Sequence, residues 1–159
     1  MKRTMLLIAA MMLALLVAAG MALAQSGVTK VCNTTCFGTN GDDHLIGTAN
    51  PNTIKGLKGA DIIEGNAGKD TLYGNLGRDA VYGGNGVDRV NGGDDRDYAN
   101  GGRSRDVIRT GSGEDVVAAR DGFKVQIYCG SDFDKVYVDR IDVLHGCERE
   151  LSKKPHPQI

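Results

Sequence analysis

The chain has 159 residues, a formal net charge of -1, 41% hydrophobic and 5% aromatic residues, no Trp, 23 Gly and only 3 Pro. Near-neutral charge excludes the basic footprint of a nucleic-acid binder, and the length excludes a multi-domain enzyme. The hydrophobic fraction overstates the core, because all 5 Met and much of the apolar content fall within the first 24 residues.

Residues 1–24 read as a secretory signal peptide. Lys2 and Arg3 precede the apolar run Met5–Ala19, and Ala22-Leu23-Ala24 forms a small-x-small site before Gln25. Cleavage is expected after Ala24. The alternative is a retained anchor, since Met5–Ala24 is long enough to span a bilayer. The Ala-x-Ala site and the polar chain beyond it favour cleavage, with no membrane attachment afterwards and a secreted, extracellular product. Export places the four cysteines where disulfides persist. Their connectivity is open from the count alone, but the spacings favour pairing within each end, Cys32 with Cys36 and Cys129 with Cys147. Residues 25–37 read as an N-terminal cap, 38–118 as a repeat, 119–151 as degenerate repeats with a C-terminal cap, and 152–159 as a flexible tail.

From Gly38 to Ala118 the sequence repeats every nine residues without insertion: GTNGDDHLI, GTANPNTIK, GLKGADIIE, GNAGKDTLY, GNLGRDAVY, GGNGVDRVN, GGDDRDYAN, GGRSRDVIR and TGSGEDVVA. Position 1 is Gly until Thr110. Position 4 is Gly at Gly41, Gly59, Gly68, Gly77, Gly86 and Gly113, with Asn50, Asp95 and Ser104 as exceptions. Position 6 is Asp at Asp43, Asp61, Asp70, Asp79, Asp88, Asp97, Asp106 and Asp115, with Asn52 as the one substitute. Position 8 is apolar throughout, from Leu45 to Val117. Gly permits positive φ and close backbone approach, so positions 1–6 predict a tight turn. Positions 7–9, rich in β-branched and aromatic residues, predict a short strand with position 8 inward.

One apolar residue per nine cannot make a core alone, but stacked coils pool them. Two units make one coil, so residues 18 apart stack at about 4.8 Å. Asp43, Asp61, Asp79, Asp97 and Asp115 then form one column, and Asn52, Asp70, Asp88 and Asp106 the other. Neighbouring carboxylates repel by roughly 3 kcal/mol per pair at an effective dielectric near 20. The plain alternative, Asx-turn hydrogen bonding, leaves both columns unneutralised. A cation between turns resolves the repulsion, and aspartate oxygens with the carbonyls of Gly-rich turns form the flexible all-oxygen cage that Ca²⁺ prefers.

These units resemble the haemolysin-type, or repeats-in-toxin (RTX), calcium-binding nonapeptide GGxGxDxUx. The resemblance implies an all-β fold, a parallel β-roll (a β-solenoid of nine-residue half-coils) with several Ca²⁺ ions between turns. It implies ligands from the eight aspartates in stacked pairs: Asp61/Asp79, Asp79/Asp97, Asp70/Asp88, Asp88/Asp106, Asp43/Asp61 and Asp97/Asp115. The carbonyls of Gly41, Gly59, Gly68, Gly77, Gly86 and Gly113 complete the sites. Asp95 and Ser104, lacking the turn Gly, are expected to distort their turns.

Beyond Ala118 one extra residue intervenes before another nonapeptide begins at Cys129. Cys147 lies 18 residues further, one coil, and stacked Cα atoms at about 4.8 Å fall inside the disulfide window of about 4.4–6.8 Å. A rung-to-rung Cys129–Cys147 bond is expected to cap one end, and Cys32–Cys36 the other. Asp134 extends the acidic edge, whereas Asp139 and Asp142 fall out of register.

No catalytic constellation is present. His44, His145 and His156 are scattered, and no H-E-x-x-H or G-x-S-x-G occurs. The expected function is a non-enzymatic, secreted Ca²⁺-binding repeat protein. The second reading is an extracellular structural or adhesive protein with an unidentified cell-surface, cell-wall or glycan partner, Ca²⁺ supporting only the fold. Thr48, Thr53 and Thr71 are not expected to align as the Thr ladder of an ice-binding face.

Overall fold

The structure is a computed structural model describing residues 27–147. The signal segment, its cleavage site, the tail over 152–159 and His156 lie outside the described residues. In chain order the strands are β1 Thr29–Val31, β2 Thr35–Phe37, β3 His44–Ile46, β4 Thr53–Lys58, β5 Ile62–Glu64, β6 Thr71–Leu76 and β7 Ala80–Asn85. They continue as β8 Arg89–Asp94, β9 Tyr98–Arg103, β10 Val107–Ser112, β11 Val116–Ala119, β12 Gln126–Tyr128, β13 Lys135–Val138 and β14 Val143–His145. Strands alternate between two seven-stranded parallel sheets. The odd sheet runs β1-β3-β5-β7-β9-β11-β13 and the even sheet β14-β12-β10-β8-β6-β4-β2. Repeat partners lie 18 residues apart, as in Thr53↔Thr71, Leu72↔Val90 and Val81↔Ala99. The fold is the all-β parallel β-roll read from the repeat.

The position-8 residues Leu45, Ile54, Ile63, Leu72, Val81, Val90, Ala99, Ile108 and Val117 form a continuous buried core, each at 0–1% exposure. Cys32, Cys36 and Cys129 prolong it toward the ends.

The strands are longer than positions 7–9. β4, β6, β7, β8, β9 and β10 each run six residues, through positions 7–9 and on into positions 1–3 of the next unit. The turn shrinks to positions 4–6. Strand side chains alternate faces, so positions 6, 8 and 1 all point inward. The interior holds an Asp, an apolar residue and a Gly from each half-coil. Position-1 Gly at Gly56, Gly74, Gly83, Gly92 and Gly101 is therefore a buried strand residue outside the left-handed region, not a turn residue. Left-handed backbone falls at positions 2 and 4, for example at Gly93 (φ 128) and Gly77 (φ 114).

Asp95 (φ 76) and Ser104 (φ 118) adopt the left-handed turn despite having a Cβ. Their turns are retained rather than distorted, because stacked coils above and below impose the conformation. Such backbone costs about 1–3 kcal/mol in a non-Gly residue. Ser104→Gly is therefore expected to stabilise the chain by about 1 kcal/mol, read as a raised urea midpoint at constant m value.

Both disulfides expected at the ends are formed. Cys129–Cys147 links adjacent rungs at Cα–Cα 5.0 Å, and Cys32–Cys36 closes a short loop at 5.3 Å. The segment expected as an N-terminal cap already carries β1 and β2, paired with β3 and β4. The extra residue after Ala119 is absorbed before β12, where Val107 pairs with Gln126 and Arg109 with Tyr128. Replacing Cys129 and Cys147 together by Ala is expected to cost about 3 kcal/mol, as for other loops of this size, measured by denaturant unfolding.

One expectation is overturned in part on the even sheet. Thr48 stays out of line, but Thr53 and Thr71 do align, and Thr35 joins them: Thr35↔Thr53↔Thr71 stack in register. Thr53 and Thr71 occupy position 7 of alternate units and Thr35 lies 18 residues before Thr53, so the coil period places them together. Arg89 ends the series.

Candidate metal centre

Each position-6 side chain sits at a corner of the coil, between turn and strand, and points inward. Asp43, Asp61, Asp70, Asp79, Asp88, Asp97, Asp106 and Asp115 are all buried, at 0–3% exposure, as is Asn52. One carboxylate oxygen of each repeat Asp has a fixed task. Oδ1 of Asp79 accepts the Asp61 backbone N–H at 2.8 Å, that of Asp97 accepts Asp79 N–H at 2.9 Å, and that of Asp115 accepts Asp97 N–H at 2.7 Å. On the opposite edge Asp70, Asp88 and Asp106 accept from Asn52, Asp70 and Asp88 at 2.7–2.9 Å. These are not Asx turns, because donor and acceptor are 18 residues apart. The carboxylate substitutes for a strand carbonyl at the corner of the sheet and carries the ladder around the turn.

The second oxygen is left over. Oδ2 of Asp61, Asp70, Asp79, Asp88, Asp97 and Asp106 is buried without a hydrogen-bond partner. Burying an unpaired charged oxygen is costly, so its surroundings matter. It faces the Cα of the position-1 Gly of its own unit. A Cβ built on Gly56 would lie 2.1 Å from Asp61 Oδ2 and 2.7 Å from the Gly74 carbonyl. One on Gly83 would lie 2.7 Å from Asp88 Oδ2 and 2.3 Å from the Gly101 carbonyl. The cradles at Gly56, Gly65, Gly74, Gly83 and Gly92 thus each bring together an unsatisfied carboxylate oxygen and a carbonyl oxygen from the next coil.

The predicted ligands are not equivalent. Both oxygens of Asp43, at the foot of its column, accept backbone N–H groups, from Val28 and Thr39. Asn52 shows the neutral alternative, its Oδ1 accepting Thr48 N–H at 2.7 Å and its Nδ2 donating to the Cys32 carbonyl at 3.0 Å. At Thr110 the cradle is filled, with the hydroxyl donating to the Cys129 carbonyl at 2.8 Å. The position-4 carbonyls point along the solenoid axis, toward the turn one coil on. A Cβ on Gly59 would meet the Gly41 carbonyl oxygen at 2.6 Å, and one on Gly77 the Gly59 oxygen at 2.1 Å.

Burial dominates the electrostatics. It pushes the carboxyls of Asp61 and Asp70 up to about 6, of Asp79 and Asp106 to about 7, and of Asp97 to about 8. The ladder hydrogen bonds oppose this, and stacked carboxylates add to it, as Asp79 and Asp115 do at Asp97. Asp88 and Asp115 are raised for the same leading reason.

Among the described residues no three His, Cys, Asp or Glu side chains gather into one cluster. Any ion here must complete its shell with backbone oxygens. The donor set is entirely oxygen, anionic and repetitive, and it fits a hard cation such as Ca²⁺. The position-1 carbonyls were not anticipated from sequence, although Gly five residues before each Asp is their signal. Asp134 does continue its column, buried and accepting Asp115 N–H at 3.0 Å. Asp142 is out of the 18-residue register as expected, at an offset of 17, yet it takes the same task and accepts Val125 N–H at 3.0 Å.

The described histidines and the cysteines are engaged in other contacts. His44 pairs with Glu64 at 2.9 Å outside the odd sheet, His145 stacks on Tyr128, and the four cysteines are bonded in pairs.

Comparison with curated proteins and with solved structures finds no match. The family profile described as RTX calcium-binding nonapeptide repeat (4 copies) matches residues 37–72, 64–99 and 91–123, more than half of the chain and every unit from Asp61 to Asp115. The chain belongs to the RTX calcium-binding nonapeptide repeat family.

Proposed function

We propose that the protein is a secreted Ca²⁺-binding module whose β-roll is consolidated by ions held between stacked turns. The observation that carries this reading is the pair of buried carboxylate columns, in which Asp61, Asp79 and Asp97 on one edge and Asp70, Asp88 and Asp106 on the other each keep one oxygen unpartnered. Asp61, Asp79 and Asp97 on one edge and Asp70, Asp88 and Asp106 on the other hold the ions, with carbonyls of the Gly-rich turns. Bound Ca²⁺ supplies the positive charge that lets adjacent carboxylates stay ionised in a dry interior. Binding free energy then becomes folding free energy. Two disulfides suit the oxidising, Ca²⁺-rich exterior of the cell.

Calorimetric titration of the oxidised chain with Ca²⁺, followed in parallel by circular dichroism from an EGTA-treated start, tests this. Saturable binding of several ions with a gain in strand signal or melting temperature is expected. Titration without heat, and a spectrum and melting temperature indifferent to Ca²⁺, would sink it.

A further inference from the structure

We propose that the outer face of the even sheet is a docking surface for an extended acidic polysaccharide lying along the solenoid axis. This surface is separate from the ion-binding edges and rests on the folded roll rather than on where each ion sits. Register builds a column of position-9 side chains in which Lys55 neighbours Tyr73, Asn91 follows, and Arg109 neighbours Tyr128. The Lys55 ammonium lies 5.4 Å from the Tyr73 ring centre, and the Arg109 guanidinium 4.8 Å from that of Tyr128. Arg89 stands in the adjacent position-7 column between Thr71 and Val107.

Three features give this face its chemistry. First, Lys55, Arg89 and Arg109 have no carboxylate partner among the described residues, although Asp and Glu together outnumber Lys and Arg in the chain. Second, the outward positions 7, 9 and 2 of the even strands carry no Asp or Glu. Asp94 stands at the far end of β8, where it accepts from the Ser112 hydroxyl. Third, a groove of about 590 Å³ opens on the same face, walled by Lys58, Tyr73, Asn75 and Asn91, with Asp94 as its one carboxylate.

Unpaired cations on a net-negative protein complement an anion. At roughly 4.8 Å per strand, Lys55, Arg89 and Arg109 span about 14 Å along the axis, which suits a linear polymer rather than a single small ion. Guanidinium groups match carboxylates bidentately, and the amides, Tyr hydroxyl and Thr ladder offer partners for sugar hydroxyls. Four cations, counting Lys58 at the end of β4, are too few for the dense phosphates of a nucleic acid. Contact with aromatic rings holds Lys55 and Arg109 in place and lowers the ordering cost of binding.

The test uses the oxidised full chain in Ca²⁺, its fold verified by circular dichroism, with hyaluronan as the acidic probe and dextran and poly(dT) as the neutral and nucleic-acid probes. Saturable binding to hyaluronan is expected, weakened by salt and at least tenfold by R89Q/R109Q. Lys135→Gln on the odd sheet should leave it unchanged, and the Ca²⁺ titration should be the same in all three proteins. The proposal is overturned if the folded chain ignores hyaluronan, if Lys135→Gln weakens binding as much, or if poly(dT) binds more tightly. Failure of the Ca²⁺ reading shows separately, as a circular dichroism signal indifferent to Ca²⁺ whatever the sugar result.

Discussion

Without divalent cations, the folded chain is expected to lose stability steadily as pH rises from about 4 to 8, and Ca²⁺ is expected to abolish or reverse that slope. The unfolded chain releases its aspartate protons near the ordinary value of about 3.9. The ion-free fold holds them longer, with Asp61 and Asp70 pushed to about 6, Asp79 and Asp106 to about 7, and Asp97 to about 8, burial being the leading cause throughout. These groups are raised on folding, so across this window the native state binds more protons than the unfolded state. Their contribution is complete below the unfolded value and is lost as pH climbs through the folded values. A single carboxyl displaced by two units represents about 3 kcal/mol, and a whole domain has only about 5–15 kcal/mol in hand. Several such groups acting together bring the ion-free roll near or past unfolding at pH 8. Ca²⁺ binds the ionised form, so its affinity grows over the same interval. Melting temperatures in EGTA at pH 5 and pH 8 should differ by more than 10 °C, and in millimolar Ca²⁺ by far less or in the opposite sense. Equal ion-free melting temperatures at the two pH values would show that the columns are not desolvated as the structure has them.

Much of this was legible because a solenoid turns periodicity directly into contact. A nine-residue period, with two units to a coil, is enough to stack Asp61 on Asp79 and Cys129 on Cys147, and both stackings are observed. The division of labour within one carboxylate was not legible. Sequence places the aspartates in columns, but it does not reveal that Oδ1 serves the backbone ladder while Oδ2 remains unpaired. Position 1 was misread for a related reason. Glycine signals backbone freedom and close approach alike, and at Gly74 only the second applies, because Asp79 Oδ2 and the Gly92 carbonyl leave no room for a Cβ. Asp95 and Ser104 looked like defects because propensity is local, whereas stacking against neighbouring coils overrides it.

Opposite signs are expected from two conservative substitutions on either side of one contact, Gly83→Ala and Asp88→Asn. Gly83 lies outside the left-handed region, so Ala suits its backbone. The obstacle is space, since the new Cβ would sit 2.3 Å from the Gly101 carbonyl and 2.7 Å from Asp88 Oδ2. The carbonyl belongs to the next coil's backbone and the carboxylate is fixed through Oδ1 to Asp70 N–H, so neither side yields cheaply. Overpacking of this kind costs about 3 kcal/mol or more, and the loss should persist with or without Ca²⁺. Asp88→Asn can keep its oxygen for the Asp70 N–H and replace the orphaned oxygen by an amide facing the Gly101 carbonyl, the arrangement opposite to that of Asn52, whose oxygen lies in the cradle. It removes a charge that burial disfavours. The ion-free chain at pH 8 should therefore gain about 1–2 kcal/mol, while the stabilisation added by Ca²⁺ shrinks. Denaturant unfolding of both variants in EGTA and in Ca²⁺ reads all four numbers. If Asp88→Asn destabilised the ion-free chain and left the Ca²⁺ increment intact, that carboxylate would be a structural hydrogen-bond acceptor and not a ligand.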